Sequence, residues 1–227
     1  MPTCYMCDRE ATTVEHAPPK CLFPERKDVP SQADYRKNLI TVPSCDAHNT
    51  ATSRDDEYLL YMLSASITSS DVGLNQFLTK VKRAAERSPA LASSMLMTTD
   101  PVKIFHEDSQ EWKEAFGIQL QAGRLDSVFT KNAHALYFHE VGKKFFGRVK
   151  VVTGFTLYND RSVNSAIESA LTAAEEFFAH HEARGDNPDV FFYRFEEGPN
   201  TATMLMNLYG TSKVLVQFEK HESIIPP

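Results

Sequence analysis

Two pairs of potential metal ligands near the N-terminus constrain the fold more than any other feature of this chain. Cys4 and Cys7 form a Cys-x2-Cys pair, and Cys45 and His48 form a Cys-x2-His pair. Two intervening residues allow a tight turn to direct both side chains of a pair at one ion, and four such ligands satisfy tetrahedral zinc. We therefore expect these four residues to hold a structural zinc ion. The alternative is a coincidence of spacing among buried free thiols.

The remaining cysteine, Cys21, lies outside this pattern and is expected to be a packed thiol. The N-terminus shows neither the basic nor the apolar segment of a secretory signal. We therefore expect a cytoplasmic protein with reduced thiols rather than a disulfide framework. No run of uncharged apolar residues is long enough to predict a transmembrane helix, so no membrane partner is expected.

The segment between the two pairs, 37 residues long, holds a second group of polar side chains. A plain zinc ribbon separates its two pairs by about 15–20 residues, so this segment must contain additional structure. Its motifs, in chain order, are Glu15-His16, then Pro18-Pro19, then Asn38-Leu39, with Asn49 directly after the second pair.

The order of these motifs resembles that of the HNH endonuclease family, whose site is a ββα-metal fold. The resemblance covers about residues 4–53. It implies that His16 is the general base that activates water, and that Glu15 and Asn49 bind a catalytic Mg2+ or Mn2+ ion. Asn38 would brace the loop that holds His16. The chain departs from the family at Glu15, where Asp is usual, and at Asn49, where His is usual.

These implied roles agree with the chemistry of phosphodiester hydrolysis, which needs an activated water and stabilisation of charge on the phosphate. A histidine such as His16 has an ordinary pKa near 6.5, so it can act as a base at neutral pH. The oxygens of Glu15 and Asn49 suit a hard divalent cation. Each residue also has a plain alternative: a packed His16, a solvated or orienting Glu15, Asn38 in a turn and Asn49 as a helix cap.

The charge distribution indicates where a nucleic acid could bind. The net charge is −6, from 24 basic and 30 acidic residues, which argues against a surface that is basic throughout. Residues 151–227 carry 5 of the basic and 11 of the acidic side chains. Phosphate contacts are therefore expected outside the C-terminal third.

Hydrophobic periodicity predicts helices over about 54–66, 72–87 and 127–146, and from 163 to a point before Gly185. Ser53 and Asp56 form a capping signal for the first helix, and Glu140 and Lys144 are spaced for an ion pair in the third. A loop or loose helix is expected over 88–101. Strands are expected over about 39–42, 102–106, 115–121, 148–157, 189–195, 203–209 and 213–219.

The predicted fold class is α+β. A zinc-stapled ββα-metal module over residues 1–55 would be followed by a helical connector over 56–100. An α+β domain over 101–227 would contain an antiparallel meander packed on two helices. Its role stays open: it could shape a substrate groove, form a homo-oligomer or bind a regulatory partner.

The sequence favours a metal-dependent endonuclease that hydrolyses DNA phosphodiester bonds with a water activated by His16 and one divalent ion. Two alternatives stay open. The N-terminal segment could be a non-catalytic zinc module that binds nucleic acid or a partner protein. The substrate could also be RNA, because nothing in residues 1–55 distinguishes deoxyribose from a 2′-hydroxyl.

Overall fold

The strands form three antiparallel sheets in the part of the chain that the computed structural model describes, residues 2–31, 33–66, 69–88, 99–106 and 110–220. The first pairs β1 with β2, and the second pairs β3 with β4. The third has five strands in the order β5-β9-β8-β7-β6. The strands are β1 (Thr13–His16), β2 (Thr41–Ser44), β3 (Thr99–His106), β4 (Glu111–Ile118), β5 (Gly147–Thr153), β6 (Arg184–Asn187), β7 (Phe191–Glu197), β8 (Thr201–Leu208) and β9 (Ser212–Lys220).

Helices occupy most of the region between the first and third sheets, which confirms the α+β class. The helices are α1 (Ser53–Ser64), α2 (Asp71–Gln76), α3 (Lys82–Arg87), α4 (Ala122–Val141) and α5 (Arg161–Phe177). A π-helical turn over Phe77–Val81 joins α2 to α3 without a break, so these elements run together across the predicted second helix. Short 3-10 turns at Lys20–Leu22, Arg26–Asp28, Asp46–His48 and Thr50–Thr52 complete the N-terminal region.

The five-stranded sheet is covered on both faces, because the consecutive residues Met204, Leu205 and Met206 of β8, which point to alternate faces, are all buried. On one face, Tyr137 of α4 and Phe145 pack their rings 5.2 and 5.1 Å from the ring of Phe218 on β9. On the other face, Leu171 of α5 forms a smaller cluster with Leu215 of β9 and its neighbours. The predicted meander on two helices is therefore confirmed, with the helices on opposite faces.

The N-terminal segment shares the larger hydrophobic core with α4 and this sheet. Cys4, Tyr5 and Val42 belong to the same buried cluster as Leu136 and Phe218. The predicted domain boundaries at 55 and 100 stay a prediction. The shared core means that helix α4 lies directly against the segment that holds the candidate site.

Several predicted boundaries are wrong for identifiable reasons. Helix α4 spans 122–141 rather than 127–146, because Gly142 adopts a left-handed conformation with φ of 71° and ends it. Phe145 matched the helical period because it is buried, not because it is helical. Lys144 therefore lies beyond the helix and binds Asp8, while Glu140 pairs with Arg184 instead.

The strand predictions need similar corrections. Strand β3 begins at Thr99, inside the segment predicted as a loop over 88–101, whose residues 89–98 lie outside the described ranges. Strand β4 lies about four residues before the predicted 115–121. Strand β2 includes Pro43 and ends later than the predicted 39–42. Strand β6 was not predicted, because Arg184–Asn187 has no apolar alternation.

Candidate functional site

The four predicted zinc ligands lie together in the structure and form a group that can hold a metal ion. The ligand atoms of Cys4, Cys7, Cys45 and His48 all lie within 4.8 Å of one another. Sγ of Cys7 is 3.8 Å from Sγ of Cys45, and Nδ1 of His48 is 3.4 and 3.5 Å from Sγ of Cys4 and Cys45. Tetrahedral zinc bonds of ordinary length separate two sulfurs by about 3.8 Å and a sulfur from a nitrogen by about 3.6 Å. The spacing therefore fits zinc.

Backbone hydrogen bonds shape the two turns that present these ligands. In the first turn, the amide of Cys4 donates to the carbonyl of Arg9 at 2.9 Å. In the second, the amides of His48 and Asn49 both donate to the carbonyl of Cys45, at 3.0 and 3.1 Å. The amide of Tyr5 donates to the carbonyl of Pro43 at 2.8 Å, which joins the turns into one unit.

The electrostatics of the cluster favour thiolate at Cys4. Burial raises the pKa of this thiol, but hydrogen bonds from the backbones of Met6 and Cys45 and from the ring of His48 outweigh burial and lower the pKa to about 6. A thiolate is the form of cysteine that binds metal. The nearby Cys21 differs, because burial raises the pKa of its thiol to about 12, and its Sγ donates to the carbonyl of Asp56 instead.

His16 ends strand β1 and lines a pocket of about 220 Å3 that also includes Asn49, the residue after the metal ligand His48. Its side chain is half-buried, and burial lowers its pKa, with smaller contributions from the positive charges of Lys20 and Arg36. The imidazole is therefore neutral at physiological pH. The pocket is lined by Glu15, His16, Pro19, Lys20, Cys21, Asn49, Ser53, Asp56 and Glu57.

Glu15 points into the protein from the opposite side of strand β1 and is 3% exposed. Its Oε1 accepts a charge-assisted contact from Nζ of Lys131 at 3.1 Å, and the same ammonium lies 2.7 Å from Oδ1 of Asp56. Nζ of Lys131 also donates to the hydroxyl of Thr52 at 2.9 Å. Burial raises the pKa of both carboxyl groups, and the charge of Lys131 opposes this change.

The second oxygen of Glu15 is a free acceptor. Oε2 is buried and has no hydrogen-bond partner among the described residues. Since buried polar atoms in native proteins are almost always paired, this oxygen has the environment of an atom that binds a water, an ion or a ligand. It belongs to a residue of the pocket wall.

The two predicted asparagines lie in different places. Nδ2 of Asn49 donates to the carbonyl of Val14 and to Oγ1 of Thr13, both at 3.0 Å, so Asn49 fixes strand β1 beside His16. Asn38 has φ of 52° and donates through Nδ2 to Oδ2 of Asp186 at 2.6 Å. The structure thus brings Glu15, His16 and Asn49 together and joins Asn38 to strand β6.

Three charged residues of the site were not predicted. Asp56 was assigned to a capping signal, but the N-cap residue of α1 is Thr52, whose side chain makes no capping hydrogen bond to the helix, and the Asp56 carboxylate binds Lys131. Glu57, the next residue of α1, also lines the pocket. Lys131 matched no motif. It is buried in helix α4, and a buried lysine requires a charged partner close to its ammonium group.

Comparison with known proteins gives no family assignment: no family model matches the chain, and no curated protein or solved structure shows significant similarity. Within the described ranges, no helix combines the length and apolar character needed to cross a bilayer.

Proposed function

We propose that this protein is a metal-dependent endonuclease of the HNH type that hydrolyses phosphodiester bonds in DNA. The observation that carries the proposal is a neutral, half-buried His16 in one pocket with Glu15 and Asn49, next to a four-ligand metal cluster. These residues lie on an antiparallel strand pair and on the turn that leads into helix α1. That order supports the family resemblance of residues 4–53.

His16 has the properties of a general base. Efficient proton transfer requires a base whose pKa is close to the working pH and whose lone pair is free. Burial and the charges of Lys20 and Arg36 keep the imidazole neutral, so it can accept a proton from an attacking water. The hydrogen bond from Asn49 to Val14 holds the strand that carries His16 in place.

The donor set of the pocket fits a hard divalent ion. Oε2 of Glu15 is a buried acceptor without a described partner, and Asn49 lines the same pocket as Glu15. These residues would hold Mg2+ or Mn2+, and the ion would neutralise charge that develops on the phosphate. Lys131 keeps Glu15 in its orientation through Oε1, the carboxylate oxygen that would stay with the protein.

The zinc ion has a structural role in this proposal. The strands β1 and β2 have four residues each, and an isolated two-stranded sheet is at best marginally stable. A zinc ion bound by Cys4, Cys7, Cys45 and His48 would join the segments on both sides of this sheet. The position of His16 would then depend on zinc, although His16 is not a ligand.

The proposal is tested by a cleavage assay with zinc-loaded protein on supercoiled DNA, single-stranded DNA and RNA. Each substrate is incubated with Mg2+, with Mn2+ and without an added divalent ion. We expect cleavage of DNA that depends on the added ion. Cleavage of RNA alone would replace DNA as the substrate class, and an absence of cleavage by folded, zinc-loaded protein would favour a non-catalytic zinc module.

A further inference from the structure

A second pocket, larger than the first, borders an adjacent face of helix α1. It has a volume of about 470 Å3 and lies between helices α1, α3 and α4. Its lining residues are Arg54, Glu57, Tyr58, Tyr61, Ala84, Arg87, Ser88 and Arg124. Three guanidinium groups therefore surround this pocket, and one carboxylate opposes them.

The two pockets share a wall. Glu57 lines both, Ser53 and Asp56 face the His16 pocket, and Arg54 and Tyr58 face the arginine pocket. All five residues lie within the first two turns of α1, and a helical turn advances only ~5.4 Å. The two pockets are therefore neighbours along α1, with Glu57 between them.

The arginines differ in their existing partners. Nε of Arg124 is 2.6 Å from Oδ1 of Asp55, its Nη2 donates to the carbonyl of Arg54 at 2.7 Å, and its guanidinium lies 4.3 Å from the ring centre of Tyr58. Arg124 is thus fixed in the wall. Arg54 and Arg87 are exposed, and neither forms an ion pair with a carboxylate of the described residues.

We propose that the arginine pocket, defined by Arg54, Arg87 and Arg124, binds the phosphate groups next to the scissile bond of the nucleic-acid strand. Arginine binds phosphate oxygens through two parallel N–H donors. Nε of Arg87 donates to the carbonyl of Arg83 at 3.0 Å, which leaves the two terminal Nη groups of Arg87 for a phosphate. The adjoining pocket contains His16 and three carboxylates, an environment for a base and a cation rather than for additional phosphates. This inference rests on the proposed function, since it assigns the substrate path to the same site.

The charge distribution of the chain supports this location. The C-terminal third carries an excess of acidic side chains, so it repels a polyanion. The arginine pocket is instead built by helices α1, α3 and α4, outside that acidic third. The strand would then leave the His16 pocket across helix α1.

The test measures binding of a labelled single-stranded oligonucleotide by fluorescence anisotropy, in a His16→Ala background that prevents cleavage. We expect the double variant Arg54→Ala/Arg87→Ala to bind at least ~10-fold more weakly, and its salt dependence to decrease by about 1.4 in slope for two lost phosphate contacts. The matched control is Arg148→Ala/Arg161→Ala, which removes the same charge from exposed positions on β5 and α5. Circular dichroism and zinc content establish that each variant is folded.

Binding that is equal in the test and control pairs would overturn the proposal, as would binding of a free nucleoside monophosphate with no affinity for the oligonucleotide. Absence of oligonucleotide binding by the His16→Ala parent would also overturn it.

The binding measurement is independent of cleavage, so failure of the arginine pocket and failure of the nuclease proposal can be distinguished. DNA cleavage by the wild type with unchanged binding in the test pair would reject the arginine pocket and keep the nuclease. Weakened binding in the test pair without any cleavage by the wild type would keep the arginine pocket as a nucleic-acid site and reject the nuclease.

Discussion

Nζ of Lys131 lies 3.1 Å from Oε1 of Glu15, and both side chains are almost completely buried. This contact joins helix α4 to strand β1 at the residue next to His16. The carboxylate of Asp56 binds the same ammonium at 2.7 Å, so one cation and two anions form a closed group. The group fixes one oxygen of Glu15 and leaves the other, Oε2, buried and without a hydrogen-bond partner among the described residues.

Replacing Lys131 by Met should destabilise the protein by about 3–5 kcal/mol, because it leaves buried carboxylates without their cation. The measurement is the free energy of unfolding in urea. Lys143→Met is the control, since Lys143 is exposed just beyond the same helix. A double variant with Glu15→Gln should lose less than the sum of the single losses, by about 0.5–3 kcal/mol. Strict additivity would show that the contact contributes nothing.

Loss of one metal ligand should unfold the N-terminal segment. We expect Cys45→Ser to lose bound zinc and to lower the midpoint of thermal unfolding, because the cluster joins the segments around β1 and β2. Cys21→Ser is the matched control, since this thiol lies outside the cluster and donates to Asp56. Equal zinc content in the wild type and Cys45→Ser would contradict the zinc assignment.

The decrease of the cleavage rate at acid pH should follow the protonation of His16. Burial, Lys20 and Arg36 lower the pKa of this imidazole below 6.5, so the rate should fall with a midpoint below that pH. Lys20→Met removes one of the positive charges and should move the midpoint to higher pH. Lys37→Met serves as the control, because Lys37 is not among the groups that perturb His16. An acid limb that does not move in Lys20→Met would argue against His16 as the titrating base.

His134 should make stability depend on pH. Burial lowers the pKa of this histidine in helix α4 to about 4, with a smaller contribution from His48. As the pH falls from about 6.5 towards 4, the unfolded chain binds a proton that the folded chain refuses. Stability is therefore complete above about pH 6.5 and decreases below it, by about 2–3 kcal/mol for this group.

A variant isolates this contribution. His134→Leu should flatten the decrease in the free energy of unfolding between neutral and mildly acidic pH. The exposed His139 on the same helix provides the control substitution His139→Leu, which should leave the decrease as it is. If His134→Leu and the wild type lose stability in parallel, the proton is taken up elsewhere.

The sequence was most informative where chemistry and spacing coincide. The four metal ligands form two short pairs, so their meeting at one point followed from ligand chemistry alone. The meander of β7, β8 and β9 followed from apolar runs separated by turn residues. Both depend on short-range patterns that a single sequence displays.

The remaining parts of the site depend on tertiary packing. Lys131 of helix α4 contacts Glu15 of strand β1, although 115 residues separate them in the sequence. No local sequence pattern predicts a contact between such distant residues. The carboxylate of Asp56 turns to the same ammonium, whereas the sequence suggested a helix cap. The hydrogen bond from Asn38 to Asp186 could not be predicted either, since Asp186 lies on strand β6, which has no apolar alternation.

The most direct test of the central claim is the single-turnover rate of DNA cleavage by the wild type and by His16→Ala, with His139→Ala as the matched histidine control. All three proteins are compared at equal zinc content and with the same added divalent ion. We predict a decrease of about 10²–10⁴-fold for His16→Ala and none for His139→Ala. Equal rates in the wild type and His16→Ala would contradict the assignment of His16 as the base.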